Sequence, residues 1–113
     1  MGQEIDDVSD VVFSCDAAKK EFNRDLDDKT REIFIYSLEM AAHGVNRSAE
    51  PLGMVGAKAL QLRRNGKPAK RCVYVVINRK AVILHSYVKK RNDVDKKAMA
   101  LAARRYKAMG LKK

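Results

Sequence analysis

The segment Arg71–Lys90 reads RCVYVVINRKAVILHSYVKK. Cys72–Ile77 and Ala81–Leu84 are apolar runs rich in Val and Ile, too short for typical helices. Asn78, Arg79 and Lys80 separate them, a polar break that suits a β-hairpin loop. Residues two apart on a strand share a face, so His85 and Tyr87 point the same way. The pair Lys89–Lys90 follows as the strand ends. An imidazole, a phenol and several cations gathered at one strand end can handle a phosphodiester.

Upstream of this hairpin, Lys58–Arg64 reads as another strand, with Leu60 and Leu62 on one side and Gln61 and Arg63 on the other. Asn65-Gly66 is a strong type I′ turn signal, since both central positions of that turn need positive φ. Pro68 precedes the next strand, where its missing N–H does little harm. These marks predict a three-stranded antiparallel meander over about 58–88. Residues 46–57, which hold Pro51, Gly53 and Gly56, read as a connecting loop without phosphate-cradling spacing.

The first half reads as scaffold. Residues 1–10 are expected to be a flexible leader, and 11–113 a single domain. Val11–Phe13 suits a first strand of about five residues. Asp16 is placed to cap a helix in which Ala18, Phe22 and Leu26 form one apolar face. Asp27 or Asp28 caps a second helix, with Ile35, Leu38 and Ala42 as its buried stripe and Phe34, Ala41 and Val45 beside them. Gly44 stops it. The two helices are expected to pack as an antiparallel hairpin. After Lys90 a basic amphipathic helix follows, capped by Asn92 or Asp93, with Val94, Ala98, Leu101, Ala102 and Met109 inward. Tyr106 is either a core edge or a stacking platform. The predicted class is α+β, in the order β-α-α-β-β-β-α, with a small, mostly antiparallel sheet.

Charge divides the chain. Residues 1–56 carry six Lys and Arg against twelve Asp and Glu, whereas 57–113 carry eighteen against two. So concentrated a positive charge is an electrostatic footprint for a polyanion, most often nucleic acid. A hydrophobic content of 46% and only two prolines argue against disorder. No apolar run approaches the roughly 18 residues that span a bilayer. The acidic opening MGQEIDDVSD does not match a secretory signal. Cys15 and Cys72 have no metal-ligand spacing and read as reduced, packed thiols. A cytoplasmic protein without membrane contact, metal or cofactor is expected.

Metal-free RNA cleavage uses the 2′-hydroxyl as nucleophile on the adjacent phosphate. The protein must take that proton, hold the charged phosphorane and protonate the leaving 5′-oxygen. Arg63, Arg71, His85, Tyr87, Lys89 and Lys90 supply fitting side chains on or near the meander. Lys58, Arg64, Lys70, Arg91, Lys96, Lys97 and Arg104 are the expected backbone contacts to RNA. His43, beside Gly44 at a helix end, reads as structural.

The element order, the strand ALQLR (Ala59–Arg63), the strand RCVYVVI and the end VILHSYVKK (Val82–Lys90) resemble the RelE/ParE superfamily of bacterial toxins. The likeness is greatest to its phage-derived, HigB-like branch. This resemblance implies an endoribonuclease that cuts mRNA on the ribosome. It also implies neutralisation by a cognate antitoxin, a helix-turn-helix protein in related systems. It maps Arg63, Arg71, Tyr87, Lys89 and Lys90 onto the superfamily's strand motifs, with His85 at a position where the branch often has histidine. Gln61 departs from the usual glutamate, and the loop after Lys90 lacks the usual proline. Two alternatives stay open: a non-catalytic inhibitor of gyrase, as in the ParE branch, and a basic nucleic-acid-binding phage protein.

Overall fold

The computed structural model describes residues 10–46, 49–90 and 95–111. Eight elements follow one another: β1 (Val11–Phe13), α1 (Asp16–Asp25), α2 (Asp28–Ala42), β2 (Glu50–Pro51), β3 (Ala59–Arg64), β4 (Ala69–Ile77), β5 (Lys80–Lys89) and α3 (Lys96–Ala108). The strands form one sheet in the order β1-β5-β4-β3-β2. Only the β1–β5 pair is parallel; the others are antiparallel. The fold is thus α+β with a mixed, mostly antiparallel sheet. Residues 1–9 of the expected leader lie outside the described residues. Asp10 is tied down, because its carbonyl accepts from Ala81 N–H at 2.8 Å.

The meander forms as read, but its turns exchange roles. Asn78 and Arg79 have φ of 51° and 62°, and Ile77 pairs with Lys80 across them. This two-residue loop has the positive φ at both positions that a type I′ turn requires. Asn65-Gly66 makes no such turn: the loop runs from 65 to 68, and Arg64 pairs with Lys70. A two-residue turn at Asn65-Gly66 would set Arg71 opposite Leu60, pointing a guanidinium into an apolar layer. The observed register sets Cys72 opposite Leu62 and Arg71 opposite Arg63. One odd shift in register flips every side chain, so burial of Leu62, Cys72 and Tyr74 selects the longer loop.

Both sheet faces are covered, unequally. On one face Leu62, Cys72, Tyr74, Ala81 and Ile83 pack with Phe22, Leu26, Phe34 and Leu38 of the α1–α2 segment. On the other, Val73, Val75, Val82 and Leu84 pack with Ala98, Met99, Ala102 and Tyr106 of α3. The helix α3 thus covers part of that second face. The helices α1 and α2 each pack more on strands than on each other, so the sheet, more than the expected antiparallel pairing of the two helices, holds them. Their corner is held by Arg31, buried, which donates to Asn23 O at 2.8 Å and Leu26 O at 2.6 Å and pairs with Asp28.

Several local expectations are corrected. The α1 cap is Cys15, without a side-chain bond, so Asp16 is the first helical residue and not the cap. Cys15 is exposed, and only Cys72 is a packed thiol. Asp27 caps α2 by accepting from Thr30 N–H. Val45, expected beside the buried stripe of α2, is exposed. Asp95 caps α3 by accepting from Ala98 N–H, whereas Asn92, Asp93 and Val94 lie outside the described residues. The short strand β2 was read as loop because of Pro51, which an edge strand tolerates. Among the described residues no helix is long and apolar enough to cross a membrane.

Candidate functional site

A β-bulge in β5 builds the site. Tyr74 pairs with Ile83, and Val73 pairs with His85, leaving Leu84 as the extra residue. Regular alternation from Ile83 would send His85 and Tyr87 into the α1–α2 core. The bulge switches them to the face of Arg71 and Arg63. Arg63, Arg71 and Tyr87 then stand directly opposite one another on β3, β4 and β5. Neighbouring strands lie about 4.8 Å apart, so the row spans roughly 10 Å. Arg71 and Tyr87 are buried, and Tyr87 belongs to the cluster packed with α3, whereas Arg63 at the end of the row is exposed.

The row is wired by side-chain contacts. The rings of His85 and Tyr87 stack, with centroids 5.4 Å apart and planes 12° from parallel. Tyr87 donates its hydroxyl to Gln61 Oε1 at 3.0 Å. Gln61 reaches Glu50 Oε1 at 3.5 Å, and the other oxygen of Glu50 pairs with Arg63 at 3.2 Å. Burial pushes the Tyr87 phenol up to about 12, against the lowering effect of Arg71. At neutral pH the Tyr87 hydroxyl therefore keeps its proton. Arg71 is buried and donates to Lys70 O at 3.0 Å. An open cleft of about 660 Å³ adjoins it, lined by Asn65, Gly66, Lys67, Pro68, Ala69, Arg71, Lys89 and Lys90. Four cations, Lys67, Arg71, Lys89 and Lys90, among these lining residues make this cleft attractive to a phosphate.

Glu21 is the residue that the linear reading passed over. It projects from α1 past the edge of β5 and meets His85 Nδ1 at 2.7 Å. Arg105 of α3 grips both its oxygens, at 2.6 and 2.8 Å, and donates to Leu84 O at 2.8 Å. Nothing in the spacing of residues 21, 85 and 105 joins them; only the tertiary fold does. Glu50 was missed for the same reason.

Burial works against the charged form of Glu21. Arg105 and His85 outweigh it and lower the carboxyl from 4.5 to about 2. The folded state thus binds the proton more weakly than the unfolded chain. Stability from this ion is fully present above about pH 5 and is lost as pH falls towards 2. Glu21→Gln should therefore flatten the acid limb of a stability-versus-pH curve in that window. Equilibrium denaturant titrations at several pH values would measure it, and parallel curves for the two proteins would refute it.

The remaining candidates separate. Arg64 and Lys70 lie on the α1–α2 face, where Arg64 donates to Thr30 Oγ1 at 3.3 Å and Lys70 pairs with Asp27 at 3.1 Å. Lys58, Lys96, Lys97 and Arg104 are exposed, the last three on α3. Arg91 lies outside the described residues. His43 caps α2 and meets Asp10 at 3.1 Å, away from the row, as a structural role requires. Tyr106 is core: it is 1% exposed, and its hydroxyl accepts from Lys58 N–H at 3.2 Å.

The arrangement is that of a small, basic α+β protein with a cationic row on one half of a sheet. The model of the phage-derived protein Gp49-like family (DUF891) matches residues 21–107, and the chain belongs to that family. The family lies within the RelE/HigB-like toxin superfamily, in agreement with the resemblance carried by the strands. No curated protein matches the chain.

Proposed function

We propose that this protein is the toxin of a type II toxin–antitoxin pair and, within it, an endoribonuclease of the HigB-like kind. Its proposed substrate is mRNA on the translating ribosome. The observation that supports this reading most is the register. It sets Arg71 between Arg63 and Tyr87 and beside a cleft that also holds Lys89 and Lys90. Attack by a 2′-hydroxyl on its own phosphate forms a 2′,3′-cyclic phosphate and releases the 5′-oxygen. That reaction needs charge stabilisation and proton transfer, and no metal. Arg71, Lys89 and Lys90 hold the phosphorane charge, His85 exchanges a proton, and Tyr87 donates a hydrogen bond. Arg63, neutralised by Glu50, stands at the outer end of the row. Lys58, Lys96, Lys97 and Arg104 extend the binding surface.

The antitoxin in this reading carries an acidic segment that covers the cationic half-face. Induced expression followed by mapping of mRNA 5′ ends tests the proposal, with a supercoiling assay on purified gyrase beside it. New 5′ ends confined to translated regions, with supercoiling unchanged, are expected. Intact mRNA together with arrested supercoiling would place the protein with the gyrase inhibitors instead.

A further inference from the structure

The bracket formed by Glu21, His85, Arg105 and Leu84 O joins α1, β5 and α3 at the bulge that creates the site. Its chemistry constrains the imidazole. A carboxylate accepts hydrogen bonds and cannot donate them, so the His85 nitrogen facing Glu21 must carry a hydrogen. With Nδ1 committed, proton exchange by the ring is confined to Nε2. Arg105 holds the carboxylate plane by two parallel bonds, a geometry with directional specificity that a lysine lacks. The same guanidinium ties the carbonyl of the bulged residue, so one side chain fixes both the backbone that aims His85 and the anion that orients its ring. The ring's stacking on Tyr87 completes the restraint.

We propose that Glu21, held by Arg105, is a positioning residue that fixes neutral His85 as its Nδ1–H tautomer and leaves Nε2 as the atom that exchanges the proton in RNA cleavage. The catalytic half of this inference rests on the ribonuclease reading. The positional half does not. Glu21 from α1 meets His85, Arg105 from α3 shares the same carboxylate oxygen, Tyr87 stacks on the ring, and Val73 of β4 stands opposite it. Of these, only Glu21 accepts a hydrogen bond from Nδ1. Removing it frees the ring to take the other tautomer.

Nitrogen-15 NMR of the histidine side chains tests the positional half, with His43→Gln used to assign the two rings. The wild-type protein should show the Nδ1–H form of neutral His85, and Glu21→Ala should show mainly Nε2–H. Single-turnover RNA cleavage at saturation tests the catalytic half. Glu21→Ala should lose on the order of 10²-fold in rate with affinity nearly kept, while Glu21→Asp should recover part of both signals. Arg105→Lys should fall between them. Leu26→Ala, a truncation in the opposite core, provides a variant destabilised without contact to the bracket. It should leave tautomer and rate unchanged. A folded Glu21→Ala protein with the Nδ1–H form retained, or with wild-type rate, overturns the proposal. A wild-type protein that shows the Nδ1–H signature but cleaves no RNA overturns the ribonuclease reading and the catalytic half, and leaves the positional half standing.

Discussion

Arg71→Ala is expected to lower the single-turnover rate of RNA cleavage by on the order of 10²–10³, with binding of the substrate complex nearly unchanged. Arg71 sits in the middle of the row, is only 6% exposed, and borders the cleft shared with Lys89 and Lys90. A buried cation acts through a lower dielectric than a solvated one, so its interaction with developing phosphorane charge is stronger. Its held position, by the bond to Lys70 O, means that little reorganisation accompanies the reaction. The loss corresponds to about 3–4 kcal/mol of transition-state stabilisation. Lys96→Ala offers the contrast. Its ammonium is exposed on α3, so its loss should weaken binding modestly and reduce the salt slope without changing the saturated rate. Equal rates for wild type and Arg71→Ala on saturated complexes would make the row a binding surface and not an active site.

Gly56→Ala should cost about 3 kcal/mol of stability, at the upper end for overpacking, and lower the melting temperature by roughly 10–20 °C. A Cβ at this position would fall well inside contact distance of Cε1, Cζ and Cε2 of Tyr106. The ring cannot step aside cheaply. It is 1% exposed, packs among Val55, Ala59 and Ala102, and accepts a hydrogen bond from Lys58 N–H. The contact also carries a larger consequence, because it seats α3 on the sheet and so places Arg105 at the bulge. Thermal melts followed by circular dichroism measure the effect. In a Tyr106→Leu background the added penalty of Gly56→Ala should shrink, since the smaller side chain vacates the contact. A loss below about 1 kcal/mol in the wild-type background would mean that the loop before β3 shifts freely.

Periodicity and punctuation in the sequence were enough to define the three helices, the first strand and the β3–β5 meander. Those signals are local: apolar residues at spacings of four in α1, Val- and Ile-rich runs in β4 and β5, and Gly44 after α2. The concentration of positive charge in the second half was equally legible, as was the common face of His85 and Tyr87. Which face that is depended on the tertiary structure. Alternation alone would have sent both rings into the helical core. The bulge at Leu84, tied by Arg105, and the long loop at 65–68 set them and Arg71 together on the opposite face. Both choices come from burial, because Leu62, Cys72, Tyr74 and Ile83 must share one layer. The bracket around His85 was equally invisible along the chain. Glu21 and Arg105 meet 84 positions apart, at 2.6 Å, and no local spacing can signal a contact that only the packing of α1 and α3 around one strand edge creates.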